Sequence, residues 1–255
     1  MSKSSRLPIA ILSPIAALII AATPASSVLA QTSCAAPELT SPDGAALFAQ
    51  LSSGLLVRED LPRPADAAPG AQLWRPAPPM PTTNEDVAVA NARIRAMTQG
   101  TDFEASVAQY KTELHDACRL LGARSTFIGQ VPLEVDSQII QFGNPDAARA
   151  YLDYAAAQIN GTPVTLDSDV VWQPTTVQPV GDDTRALSAT TSAQAASPAV
   201  TATTILFRVD STVGAVAMAS SDAPDLATAR RAEALAQISA TRIAHAGLSA
   251  AAGNN

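Results

Sequence analysis

Few residues in the chain are suited to covalent or metal chemistry, and two of them lie close together. His115 and Cys118 stand three positions apart, and the chain of 255 residues has two histidines and two cysteines in all. Three positions correspond to about 300° around a helix, so the two side chains could share one edge and bind Zn²⁺. A structural zinc site takes about four ligands, and His245 lies far along the chain. We therefore expect no metal site and no cofactor.

Cys118 could instead be a nucleophile or one half of a disulfide. A catalytic cysteine needs a lowered pKa, which a helix N-terminus or a cationic neighbour supplies. Apolar residues recur at intervals of three or four from Phe103 to Leu121, so the pattern predicts one helix that ends at Gly122 and carries Cys118 near its C-terminus. An even number of cysteines in an exported chain pairs by default. We expect a Cys34–Cys118 disulfide, with free thiols as the alternative.

The first thirty residues have the order of a secretory signal peptide. Lys3 and Arg6 precede an apolar run from Leu7 to Ala22, and small residues close the segment at Ala30. The run is shorter than the roughly 20 residues that a membrane-spanning helix needs, and two prolines interrupt it. We expect cleavage after Ala30, no transmembrane segment thereafter, and a secreted, periplasmic or cell-surface location. An uncleaved anchor is the alternative.

Charge and motifs exclude several classes of function. The formal net charge is −7 with a pI near 4.7, and loss of Lys3 and Arg6 makes it more negative, so nucleic acid and anionic lipid are disfavoured partners. The remaining chain lacks the G-x-S-x-G and S-x-x-K motifs of serine hydrolases and the glycine-rich loops that bind phosphate. Lys111 is its only lysine, which leaves Schiff-base chemistry without a second candidate.

Carboxylates are the one plentiful reactive group. Asp167, Asp169 and Glu134 could form an acid and base pair for hydrolysis. The Asp167-Ser168-Asp169 spacing lacks the further oxygen ligands of a calcium loop. Any acidic soluble protein has such a supply of acids, so this hypothesis stays second.

The two tryptophans point to binding or to core packing. Trp74 lies in a proline-rich segment, and Trp172 precedes Pro174 at the end of a strand-like segment. Tryptophan is common at binding surfaces, but a chain with 4% aromatic residues also needs its large rings to fill its core. We name Trp74, Trp172 and Asp182 as candidate ligand-binding residues, with core packing as the alternative for the tryptophans. The partner would be an unidentified protein or small molecule.

The leader, the proline-rich stretch and the helix and strand signals divide the chain into five regions. After the leader, residues 31–61 form an arm and a short helix that Ser41 caps, with Pro42 in its first turn. Residues 62–82 are rich in proline and predict a loop or linker. Residues 83–246 form the main domain, and 247–255 a disordered tail.

Within the main domain, helical and strand signals alternate. Helices are expected from Thr83 or Asn84, from a Thr101–Glu104 capping box, and from Asn144 to Gly161, the last with a buried face at Ala148, Tyr151, Leu152, Ala155 and Ile159. Strands are expected within 125–143, one or two more within 163–181, and a hairpin within 203–220. Residues 186–203 predict a mobile surface loop, and a terminal helix begins near Asp222 or Pro224. This order favours an α+β fold, a mainly antiparallel sheet with helices packed against it and one disulfide.

Two stretches within about residues 125–246 carry a family resemblance, "IIQFGNPDAARAYLDYAAAQI" and "TTILFRVDSTVGAVAMASSDAPDLATARRAEALAQISATRI", and "LLVREDLP" earlier in the chain adds to it. The chain resembles exported bacterial domains and lipoproteins of unknown function. It is similar to PsbP/Mog1-like modules and to extracellular sensor-type domains of actinobacterial receptor kinases. The resemblance implies an antiparallel sheet covered by helices and brings no catalytic residues. We therefore favour a non-catalytic binding or sensor-type module over a cell-envelope hydrolase.

Overall fold

The computed structural model describes residues 34–63, 73–129, 133–162, 170–191, 199–221 and 225–248. Within these ranges the helices are α1 (Pro42–Gly54), α2 (Asn84–Gln99), α3 (Phe103–Asp116), α4 (Pro145–Ile159) and α5 (Asp225–His245). The strands are β1 (Trp74–Pro76), β2 (Met80–Thr82), β3 (Arg119–Gly129), β4 (Leu133–Phe142), β5 (Gln173–Pro174), β6 (Asp183–Thr191), β7 (Val200–Val209) and β8 (Thr212–Ser220).

The described strands form one sheet in the order β1-β3-β4-β8-β7-β6-β5, and β2 also pairs with β3. Every strand pairing in this sheet is antiparallel. The α+β class with a mainly antiparallel sheet is therefore confirmed. The Cys34–Cys118 disulfide is confirmed as well, with Cα atoms 4.6 Å apart.

Helices cover both faces of the sheet, and each face has its own core. Helices α1 and α5 pack on one face, which we call the α5 face, around residues such as Leu51, Ile205 and Leu235. Helix α4 packs on the opposite α4 face, around residues such as Leu152 and Leu206. Because β7 and β8 lie at the centre, nearly all their residues are buried on both faces. Apolar side chains on both faces of a strand hide the alternation that reveals a half-buried strand.

Helix α4 and the β7–β8 hairpin follow the local sequence signals. Asn144 caps α4 by accepting a hydrogen bond from the Ala147 backbone N–H (2.8 Å), and Pro145 opens the helix. The buried residues of α4 are the five expected from the 3.6-residue period: Ala148, Tyr151, Leu152, Ala155 and Ile159. These predictions are confirmed, because capping and periodicity act within a few residues of one another.

The start of α3 corrects one prediction. The expected Thr101–Glu104 capping box is wrong. Asp102 is the N-cap, and its carboxylate accepts the Ala105 N–H at 2.7 Å. A neighbouring aspartate thus takes the place of the threonine.

The end of α3 corrects a second prediction. The helix stops at Asp116 rather than at Gly122, and Leu121 belongs to β3. Cys118 lies in the turn between them with a φ of 52°. Its carbonyl oxygen accepts a hydrogen bond from the Gly143 N–H at 2.9 Å. Strand β3 pairs with β4 along nearly its whole length. This pairing outweighs the helical spacing of the apolar residues, which continues across the turn by coincidence.

Two segments expected to be irregular contain strands. The proline-rich segment holds β1 and β2, which pair with β3 at the sheet edge. Proline is tolerated there because an edge strand needs no donor on its outer side. The expected mobile loop 186–203 is wrong for 186–191 and 200–203, which belong to β6 and β7; residues 192–198 lie outside the described ranges. Of the strands expected within 163–181, the described part holds β5.

No helix among the described residues is long and apolar enough to cross a membrane.

Candidate functional site

Both tryptophans fill core positions at opposite edges of the sheet. Trp74 in β1 is 5% exposed and belongs to the core of the α5 face, and its indole N–H donates to the Pro62 carbonyl at 3.1 Å. Trp172 precedes β5, is 3% exposed and belongs to the core of the α4 face. The structure therefore brings neither indole to the surface near Asp182.

Asp182 occupies an exposed turn that is tied to the β7–β8 hairpin. Its backbone N–H donates to the Arg208 carbonyl at 2.7 Å, and its Oδ2 accepts the Asp210 N–H at 2.7 Å. Gly181 precedes it with a φ of 64°, and a Cβ at that position would overlap the Arg208 carbonyl oxygen. Only glycine fits both the left-handed backbone and this close approach.

Arg208 is the charged centre beneath this turn. It is 6% exposed, and its guanidinium donates to Asp183 Oδ2 from Nε (2.8 Å) and to the Asp210 carbonyl from Nη1 (2.8 Å). Asp182 Oδ2 lies 3.3 Å from Nη1. The hydrogen bond from Arg208 holds the pKa of Asp183 below its usual range, and Arg149 at 3.3 Å adds to the effect.

A groove of about 400 Å³ opens beside the turn. Its lining consists mainly of threonines, small apolar residues and the two aspartates: Thr175, Thr176, Val177, Pro179, Gly181, Asp182, Asp183, Thr184 and Ala186. The wall facing β6 is held in place by α5. Gln237 donates to the Pro179 carbonyl at 2.7 Å, and Glu233 accepts the Gln178 N–H at 3.1 Å. The groove therefore exists before any ligand arrives.

A second polar region lies on the α4 face, beyond the part that α4 covers. Arg124 Nε donates to both carboxylate oxygens of Asp136, at 2.9 and 2.8 Å, and Nη2 also contacts Oδ2. Glu134 lies two residues before Asp136 on the same face of β4. Burial, with the neighbouring Asp136 charge, raises the pKa of Glu134. Burial also raises the pKa of Asp136, against the opposing effect of Arg124.

The described carboxylates do not form a catalytic pair in a closed pocket. Glu134 has Asp136 as a neighbour on β4, but Arg124 holds both oxygens of Asp136. Asp167 and Asp169 lie outside the described residues. The paired-carboxylate hydrolase therefore stays a prediction.

His115 is exposed, and its Nδ1 lies 3.4 Å from Asp116. Cys118 is bonded to Cys34, so it is not available as a thiolate ligand or nucleophile. Among the residues that the structure describes, no three His, Cys, Asp or Glu side chains come close enough together to hold a metal ion.

Arg208 and Arg124, which organise the two polar regions, are not among the site residues predicted from the sequence. A signal existed for Arg124, because Arg124 and Asp136 stand on neighbouring expected strands and have opposite charge. Arg208 had no such signal, since its partner Asp183 lies in a segment not expected to pair with it.

Comparisons with known proteins leave the family open. No family model matches the chain, and no curated protein matches it. Among solved structures, the extracellular domain of PknH from Mycobacterium tuberculosis is similar at 13% identity with a TM-score of 0.49. The alignment covers 78% of this chain and 96% of that domain. One fold can host unrelated functions, so neither ligand nor mechanism follows from this likeness.

Proposed function

We propose that the protein is a non-catalytic, extracytoplasmic binding module of the sensor type, and that the groove beside Asp182 is its ligand site. The observation that carries the proposal is the preformed groove, one wall of which is fixed by hydrogen bonds from α5. Concave sites that exist before binding lose little free energy to ordering. The groove is lined by no cysteine, histidine or lysine, and Arg208 pairs with both of its aspartates, which suits binding rather than bond cleavage.

The lining indicates the chemistry of the ligand. Thr175 and Thr176 offer hydroxyl groups, and Asp182 and Asp183 offer carboxylate oxygens beyond those that Arg208 occupies. Carboxylates accept hydrogen bonds and repel anions. The groove thus fits a small, neutral or cationic, polar ligand that donates hydrogen bonds.

The cellular location belongs to the same proposal. The leader in residues 1–30 has the order of a signal peptide, and disulfides such as Cys34–Cys118 persist in oxidising compartments. Mass spectrometry of the protein from its own cells should find an N-terminus near Gln31 outside the cytoplasm.

A resonance-mapping experiment tests the ligand site. Amide chemical shifts would be followed while a panel of uncharged sugars and small primary amines is added. Bound compounds should shift resonances of Thr175–Ala186, and Thr176→Arg should abolish the shifts by filling the groove. Thr112→Arg, on the exposed side of α3, is the matched control and should bind like wild type. Compounds that bind Thr176→Arg as well as wild type would exclude the groove.

A further inference from the structure

The part of the α4 face that none of the described helices is seen to cover presents two large apolar side chains to solvent. Ile128 is 54% exposed and Met80 is 52% exposed, and the register of β1, β2 and β4 on β3 places both on this face. Helix α4 packs on β6, β7, β8 and the C-terminal end of β4. Ile128 and Met80 lie four β3 positions apart on the same face, where apolar exposure marks a candidate interaction surface.

Three residues form a row across neighbouring strands, with a positive charge at one end and a negative charge at the other. Arg75 lies opposite Ile128 across β1 and β3, and Glu134 lies opposite Ile128 across β3 and β4. A cation, an exposed isoleucine and an anion therefore follow one another at strand spacings of about 4.8 Å. The side chains of Arg75 and Glu134 form no hydrogen bond or ion pair with any residue that the structure describes.

We propose that this row is the centre of a homodimer interface, in which a second copy of this chain packs its own row against it. A twofold axis between the two sheets, parallel to β3 and above Ile128, places each Arg75 opposite Glu134 of the other copy. The two Ile128 side chains meet on the axis. An isologous interface requires such a self-complementary surface, and the row is one.

Among the described residues, α4 does not obstruct this arrangement. The axis directs the rest of each sheet away from α4 of the other copy, because α4 lies on the opposite side of the row from β1. Arg124 adds no repulsion, since Asp136 neutralises it.

The sheet edge itself is protected, so a second copy packs on the face and does not extend the sheet. Pro76 in β1 and Pro81 in β2 have no backbone N–H to offer a further strand. This proposal does not depend on the groove beside Asp182.

A charge-exchange experiment tests the interface. Sedimentation of the purified wild-type protein over a concentration series should show a species with twice the mass of one chain. Arg75→Glu and Glu134→Arg should each raise the dissociation constant at least about tenfold, because each places like charges opposite one another. An equimolar mixture of the two variants should dimerise again, since every contact across the axis is then between opposite charges.

The mixture distinguishes a contact between two copies from a contact within one chain. Mixing the variants can restore only a contact between copies. Arg230→Glu, with the same charge change on an exposed position of α5, should dimerise like wild type. Circular dichroism of each variant checks the fold. A wild-type protein that stays monomeric at every concentration, a dimer that persists in both variants, or a mixture that stays monomeric would each overturn the proposal.

Discussion

At the scale of single residues, the two buried arginines, Arg208 and Arg119, and the partly buried Arg124 are held in different ways. Arg208 lies between two carboxylates, and Arg124 pairs with one. Arg119 is fully buried and donates to Asn84 Oδ1 (2.6 Å) and to the carbonyl oxygen of Thr82 (2.8 Å), both uncharged groups. Burial lowers the pKa of Arg119 to about 10, so it stays charged at neutral pH. Removing a partner from any of them leaves a charge without full compensation.

Asp183→Asn should lower the free energy of unfolding at pH 7 by about 1.5 to 3 kcal/mol, the range for hydrogen bonds to charged groups. The pKa of Asp183 is lowered in the folded protein, so its contribution is complete above the unfolded pKa of about 4 and is lost as the pH falls through the folded value. The difference from wild type should therefore shrink below about pH 4. Urea unfolding across this pH range measures it.

Asp153→Asn supplies the control, because Asp153 pairs with Arg185 on the surface. Its effect should stay below about 1 kcal/mol at pH 7. An Asp183→Asn cost that is the same at pH 3 and pH 7 would contradict the ion-pair explanation.

Gly122→Ala should destabilise the protein by about 1 to 3 kcal/mol through overpacking. A Cβ on Gly122 would overlap Thr82 Oγ1 and would lie 2.9 Å from Arg119 Nη2, so the guanidinium would have to leave its acceptors. Gly143→Ala is the matched control in a buried position, since its Cβ would meet Cys118 Cβ at 3.4 Å. Thermal unfolding compares the two variants, and equal melting temperatures would show that Arg119 tolerates displacement.

At the scale of elements, the disulfide joins the N-terminal arm to the turn between α3 and β3. Its cysteines are separated by 84 residues. The arm also contributes Leu39 to the core of the α5 face, and α1 has independent anchors such as the buried Leu51. The disulfide therefore stabilises the protein mainly by restricting the unfolded chain, and less by holding the folded structure together.

Cys118→Ala should lower the free energy of unfolding by roughly 4 to 5 kcal/mol, from the loop-closure entropy of a segment of this length. Cys34→Ala and reduction of the wild-type protein should give the same loss, because all three remove one constraint. Guanidinium unfolding under oxidising and reducing conditions measures it. A reductant that leaves the wild-type midpoint unchanged would show that the disulfide contributes no stability.

At the scale of the whole molecule, one sheet joins two cores. Trp74 reports on the core of the α5 face and Trp172 on the core of the α4 face. Strands β7 and β8 contribute side chains to both cores, so neither core can open while the other keeps its packing.

Trp74→Phe and Trp172→Phe each leave a single tryptophan, since the chain has two. Fluorescence unfolding of the two variants, each compared with its own circular dichroism, should give one transition with coincident midpoints in each protein. Two separate transitions within either variant would show that the cores unfold independently.

The sequence by itself determined what depends on near neighbours. Asn144, Pro145 and the 3.6-residue period of α4 lie within a few turns of one another, so the start and the buried face of this helix were predictable. The disulfide was predictable because the chain has two cysteines. The β7–β8 hairpin followed from two strand signals beside a short turn.

Tertiary structure alone decided what depends on distant partners. Leu121 leaves the helical pattern because β3 pairs with β4, and residues 186–191 become a strand because β7 lies beside them. The groove beside Asp182 depends on Arg208 and on two α5 side chains far away in sequence. Local patterns carry no information about such pairings. Strand pairing stabilises the protein only when the strands hydrogen-bond in register and both faces of the sheet are buried.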